Sequence, residues 1–298
     1  MVELMNNKNL KYSAMLFLSP ALLAIFAFFF LPVLAAFVMS FTDFDIYSLN
    51  HLWRVRFIGF ENYKKLLDDP VFWKSLFNTF YYVIIAGPLS VIVSLCAALM
   101  LNSKLIKFKA IFRLTYFMPV VTTLVAVAIV WRFIYHPRFG LFNYLLGFLG
   151  IDPVDWLGDP DYAMPAIIIM TVWKNFGYNM IIFIAGLQNI PEYLYEAAIL
   201  DGANKFQLFR NITLPMLAPT MLFVGIVTMI GFFQIFTEPY VMTQGGPLDS
   251  TLSIVLYMYR EGFRWWNMGY SASIAFVLFI IIFLGTIIQF KFQKRIFG

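Results

Sequence analysis

Charge is scarce in this sequence. Of its 298 residues 12% are charged and 61% are hydrophobic, and the mean hydropathy is positive. That balance excludes a soluble globular domain and indicates a membrane protein. Cysteine is nearly absent: Cys96 stands alone inside a hydrophobic run, which excludes an intramolecular disulfide and a cysteine-based metal site. The two histidines, His51 and His136, sit apart in polar loops, so no metal-ligating set is expected. A glycine-rich phosphate loop followed by Lys-Ser or Lys-Thr is missing, so the chain should not hydrolyse ATP itself. No serine has a histidine at a suggestive spacing, and no catalytic constellation remains. The net charge of +5 is spread over short connections without a basic tract, which argues against nucleic-acid binding. Asp152, Asp155, Asp159 and Asp161 come closest to a cation site, but Pro153 and Pro160 deny them a ligand register and a solvated turn is expected. Neither an internal repeat nor a low-complexity tract is visible.

What the chain does have is long apolar runs. Stretches of spanning length lie at about 14–40, 76–101, 114–135, 163–187, 216–237 and 271–290. They predict an all-α, polytopic fold of six transmembrane helices with both termini on one side. The run at 14–40 is too long for a secretory signal and lacks a convincing small-residue cleavage site. Pro20 falls in its first turns, whereas Pro32 lies late and is expected to kink or end the regular part. Each run contains Gly, Pro, Ser or Thr, as packed membrane bundles do. The expected organisation is a terminal segment 1–12, a first helix 13–40, an external loop 41–75, a five-helix core 76–291 and a terminal segment 292–298.

Lysine and arginine set the orientation. Lys8, Lys11, Lys104, Lys107, Lys109, Arg113, Lys205, Arg210, Lys291, Lys294 and Arg295 crowd the side of the termini. Arg54, Arg56, Lys64, Lys65, Lys74, Arg132, Arg138, Arg260 and Arg264 are spread more thinly over longer loops on the other. The denser side is expected in the cytoplasm. The opposite loops carry Tyr47, Trp53, Tyr63, Trp73, Trp156, Tyr257, Tyr259, Trp265 and Trp266 among charges. These aromatics suit anchoring at the membrane interface. Gly245, Gly246 and Pro247 demand a sharp turn, and 252–263 is expected to follow as a short surface helix.

Polar residues inside the fourth run stand out. Thr171, Lys174, Asn175 and Tyr178 follow an i, i+3, i+4, i+7 spacing and share one helix face, with Asn179 at its edge and Trp173 turned away. Lys174 is roughly 16 Å into the helix at about 1.5 Å per residue, near mid-membrane. A cation there needs water or a partner. Two readings follow: the stripe fixes packing through carbonyls or a carboxylate of a neighbouring helix, or it lines a transport path. Amides and aromatic rings suit sugars, which bind through hydroxyl hydrogen bonds and apolar ring faces. In the fifth run Gln234, Thr237 and Glu238 are expected to share a face, with Phe232 and Phe233 beside them, as weaker candidates.

The connection 189–215 is polar and ordered in pattern. Pro191 suits a first helical position after a cap at Asn189 or Ile190, and Gly202 suits a stop, so two short helices bent at Gly202 are expected. Taken alone, this could be an amphipathic connector on the membrane surface. Its residues Glu196-Ala197-Ala198, then Asp201-Gly202, then Ile212, Leu214 and Pro215 carry a spacing that resembles the cytoplasmic loop of permease subunits of binding-protein-dependent ABC importers. Phe57 to Tyr63, Phe77-Asn78-Thr79 and Thr243 to Pro247 look like the sugar-uptake branch, near the maltose and glycerol-phosphate permeases.

The resemblance spans essentially the whole chain. It implies a maltose-permease-like fold in a bacterial inner membrane and a loop that docks into an ATP-hydrolysing subunit, with Glu196 and Gly202 at matching positions. It implies a second permease, two ATPase subunits that use ATP and magnesium, an extracytoplasmic solute-binding protein, a sugar substrate, and no cofactor in this chain. It also implies a pocket in the core bundle of one or both permeases. Glycerol-phosphate-type solutes, a secondary transporter and a structural membrane protein are the alternatives.

Overall fold

A computed structural model describes residues 7–50, 53, 55–103 and 106–297. His51, Arg54 and Lys104, and the first six residues of the expected terminal segment, lie outside the described residues. Five described helices are long and apolar enough to cross a membrane: Tyr12–Met39, Pro70–Asn102, Pro160–Gln188, Ala218–Met242 and Met268–Phe292. A sixth crossing requires the helices Lys109–Val121 and Leu124–Ile134 to be taken together, and these are bent by 97°.

That bend corrects the expectation of one regular helix at 114–135. Thr122 and Thr123 are extended, with ψ of 144° and 134°, so the ladder stops and the last carbonyls of Lys109–Val121 lose their partners. Uniform hydropathy hides such a break. The fifth run is also interrupted: regular helix ends at Phe233 and resumes at Thr237–Met242. Pro32 leaves the first helix unbroken, because it falls at the start of Leu31–Met39 after a π-helical turn at Phe26–Phe30.

The contacts group into two units. The first comprises residues 1–68 and 258–276. Here the Asn62 amide donates to the carbonyls of Ser40 and Thr42, both at 2.9 Å, and the Ser40 hydroxyl meets that of Tyr63 at 2.8 Å. Gly269 approaches the Thr42 carbonyl so closely that a Cβ would sit 2.3 Å from its oxygen. Asp43 is held below the ordinary carboxylate range, first by the main-chain N–H of Arg56 and then by its guanidinium. The stretch expected as a surface helix is helical at Ile254–Tyr259 and continues as a π-helical turn at Arg260–Arg264, but it is not a surface element: Ile254, Leu256, Tyr257 and Glu261 are buried.

The second unit, residues 69–257 and 277–298, holds the bundle. Pro70–Asn102 and Pro160–Gln188 share its core, where Ala98, Leu101, Met180, Phe183, Ile184 and Leu187 are buried together. Both helices start alike: Asp69 and Asp159 accept main-chain hydrogen bonds as N-caps, each followed by a proline that has no N–H to lose. Asp155 accepts from the Gly158 N–H at 3.0 Å, so two of the four loop carboxylates serve turn and cap. On the side of the Asp69 cap, the Asn78 amide donates to Asp249 and Leu252 carbonyls at 2.7 and 3.1 Å. These bonds hold the expected sharp turn, in which Gln244, Gly245, Leu248 and Asp249 all have positive φ.

Candidate functional site: a polar cavity and an exposed connector

Two features of the bundle carry chemistry. The first is a cavity of about 280 Å³ lined by Tyr82, Asn175, Tyr178, Asn179, Val227, Thr228, Gly231, Phe232, Ile235 and Glu238. It lies where the second, fourth and interrupted fifth helices meet. Asn179 is buried and its amide donates to the Thr228 hydroxyl at 3.0 Å, while the Asn175 amide donates back to the Thr171 carbonyl at 3.0 Å. Each amide therefore keeps oxygen capacity for another partner. Tyr178 is half exposed and Phe232 is buried against Tyr82, with ring centroids 5.4 Å apart. The wall thus alternates hydrogen-bonding groups and aromatic planes.

Of the candidate path residues, Asn175, Tyr178, Asn179 and Phe232 line this cavity. Thr171, Lys174, Phe233, Gln234 and Thr237 do not. Phe233 packs edge-on against Phe80 at 5.2 Å, and Gln234 is exposed. The shared face expected for Gln234, Thr237 and Glu238 fails because the helix breaks between them: Thr237 is half-buried and Glu238 alone turns inward. Tyr82 enters from the second helix, and nothing in its local pattern signals a site.

Lys174 has a different employment. It is 8% exposed and its amine donates to the Val120 carbonyl at 3.1 Å. Val120 lies in the last turn before the 97° bend, where the carbonyls are orphaned and the helix dipole is negative. Thr122 covers two more of them, with its hydroxyl 3.2 Å from the Met118 oxygen and 2.7 Å from that of Pro119. Gly177, one turn further on, lets the two backbones cross: a Cβ there would sit 2.1 Å from the Tyr116 carbonyl oxygen. The hydroxyls of Thr171 and Tyr82 are buried without a hydrogen-bond partner among the described residues.

The second feature is the connection between the fourth and fifth helices. Glu192–Leu200 begins after Pro191, which is the N-cap and not the first helical residue. It ends in a Schellman motif: Ala203 N–H reaches the Ala198 carbonyl at 2.9 Å, Gly202 N–H reaches that of Ile199 at 3.0 Å, and Gly202 has φ +84°. Asn204 and Gln207 then form a capping box for Lys205–Leu208. One side is anchored, since Leu194, Tyr195 and Ile212 pack on the bundle core and the Tyr195 and Thr213 hydroxyls bond at 2.9 Å. Ala198 and Leu214 are half-buried with them. The other side is bare: Glu196, Ala197, Asp201, Gly202 and Pro215 are exposed, and so are Tyr193, Ile199, Phe206 and Leu200, the last at 88%. The connector therefore presents an exposed apolar tip on an anchored base.

The model of the family described as "Binding-protein-dependent transport system inner membrane component" matches residues 4–298. The chain belongs to that family. It is accordingly the membrane-spanning permease of an ABC importer, in which ATP hydrolysis resides in a separate subunit. Among curated relatives, the arabinooligosaccharides transport system permease protein AraP of Bacillus subtilis is 36% identical over 290 residues, covering 97% of this permease and 90% of AraP. The lactose transport system permease protein LacF of Rhizobium radiobacter is 36% identical over 280 residues, covering 92% of each chain. Among solved structures, a chain of the bacterial alginate ABC transporter, in complex with an alginate pentasaccharide-bound periplasmic protein, superposes with a TM-score of 0.82. It covers 100% of this permease and 99% of that chain at 20% identity, a likeness of fold.

Proposed function

We propose that this permease imports a sugar or short oligosaccharide handed over by an extracytoplasmic solute-binding protein. The observation that carries this reading is the cavity, where the amides of Asn175 and Asn179 and the rings of Tyr178 and Phe232 face one space. That is the pairing a saccharide requires: hydroxyl partners around it and a flat apolar surface beneath it. The names of AraP and LacF, transport proteins for arabinooligosaccharides and lactose, point the same way. The volume is near the lower end of the about 300–1,000 Å³ of small-molecule sites, so a short saccharide segment fits.

In this reading the termini are cytoplasmic, the permease pairs with a second permease, and two ATPase subunits bind ATP and magnesium. The exposed tip around Gly202 docks on one of them. Closure of the ATPase pair moves the anchored connector, and the fourth and fifth helices, joined directly by it, reopen the cavity toward the delivered solute. The test is ATP hydrolysis by the reconstituted complex with its binding protein, across a panel of sugars with glycerol phosphate included. Stimulation by a sugar supports the reading. Stimulation by glycerol phosphate alone refutes the sugar assignment and leaves the importer.

A further inference from the structure

The cavity wall contains one charged side chain. Glu238 is 7% exposed, lies among the lining residues, and is tied by no side-chain hydrogen bond to another described residue. Its acceptor capacity therefore faces the cavity. The amine of Lys174 is committed to the Val120 carbonyl, and Lys174 does not line the space. The positive charge that would offset a bound anion is thus held outside the wall, while the negative one is in it. The remaining polar groups, Asn175, Tyr178, Asn179 and Thr228, are neutral.

We propose that Glu238 is a specificity-determining residue of this permease: it accepts hydrogen bonds from saccharide hydroxyls and restricts the cavity to uncharged saccharides, rejecting those that carry a carboxylate. The inference rests on the cavity being the sugar path. Two carboxylates brought together in a site shielded from water repel strongly, whereas hydroxyls donate to a carboxylate in bonds stronger than neutral ones.

Direct occupancy of the cavity tests this without the filter of the binding protein. In the assembled complex, Val227→Cys in a Cys96→Ser background places a single thiol on the cavity wall. Its reaction with a small hydrophilic thiosulfonate is followed with lactose, maltose or arabinobiose, and with a glucuronic-acid-ended disaccharide of the same size. The expected result is protection by an uncharged disaccharide at concentrations at least about tenfold below the acidic one, and loss of that preference in Glu238→Gln. Glu238→Asp, which keeps the charge, should keep the preference. Copurification of the ATPase subunits reports assembly of each variant. Equal protection by both disaccharides, or a preference unchanged in Glu238→Gln, overturns the role of Glu238. A thiol that reacts freely and is protected by no saccharide overturns the sugar path itself.

Discussion

Replacing glycine with alanine should have opposite consequences at two helical positions of this bundle, and the structure says by how much. At Gly177 an added Cβ would lie 2.1 Å from the Tyr116 carbonyl oxygen, 2.9 Å from its carbon and 3.2 Å from the Phe117 Cα. Ordinary contact begins at 3.4 Å, so the two backbones must part by about 1.3 Å along that line. No rotamer change relieves the clash, because all three of these atoms are main chain. Overpacking costs about 1–3 kcal/mol when side chains can yield. Here the cost should reach or exceed the upper figure, since Lys109–Val121 must shift as a body. At Gly225 the nearest atom is the flexible Gln289 amide nitrogen at 3.7 Å, and alanine gains up to about 1 kcal/mol of helix propensity. The assay is the thermal midpoint of the purified permease–ATPase complex, read by loss of the monodisperse peak. Gly177→Ala should melt well below the parent, and Gly225→Ala at or above it. Equal midpoints for the two variants would refute the close crossing at Gly177.

Gly202→Asp should insert and melt nearly normally, because nothing lies within 4 Å of its Cβ position and the φ of +84° costs about 1–2 kcal/mol at most. It should nevertheless lose ATPase retention, while Gly202→Ala, at least as strained at this φ but uncharged, retains more; full retention in Gly202→Asp would count against docking at this tip. Asn143 ties together Pro137, Val154 and Trp156, donating at 3.0 and 2.8 Å to two carbonyls and accepting at 3.2 and 2.9 Å. Asn143→Leu strands these groups at about 1–3 kcal/mol each where water cannot reach, and faster amide exchange across 137–158 should follow with the bundle core unchanged.

The helices were legible in the sequence because apolar length dictates them, and the connector was legible because caps and glycine have local signatures. Gly202 stops its helix as its position after an apolar run predicts, with the left-handed φ that only glycine takes freely. The breaks were not legible. Thr122-Thr123 and Gln234 to Phe236 are ordinary residues in apolar surroundings, and their extended or irregular backbone is fixed by what packs on them. A 3.6-residue periodicity carried across Gln234 therefore grouped three side chains that point in different directions. Tyr82 stayed hidden for a related reason: it lies amid apolar neighbours, and only the meeting of three helices makes it part of a wall.

Lys174 shows how a correct physical premise admits two structures. A mid-membrane amine must have a partner, and both a hydrated path and a bare helix end satisfy that need. The bend chooses the second, because it exposes the Val120 carbonyl within 3.1 Å of the amine. If Lys174 caps that end, Lys174→Met removes the donor and leaves a part-buried carbonyl uncovered, a loss of up to about 1–3 kcal/mol. Thr122→Val uncovers neighbouring carbonyls of the same turn. A turn already freed by one substitution has less left to lose, so the double variant should fall short of the sum of the single effects on the thermal midpoint. Discrimination between uncharged and acidic saccharides should survive Lys174→Met. A variant that melts like the parent but changes that discrimination would return Lys174 to the transport path.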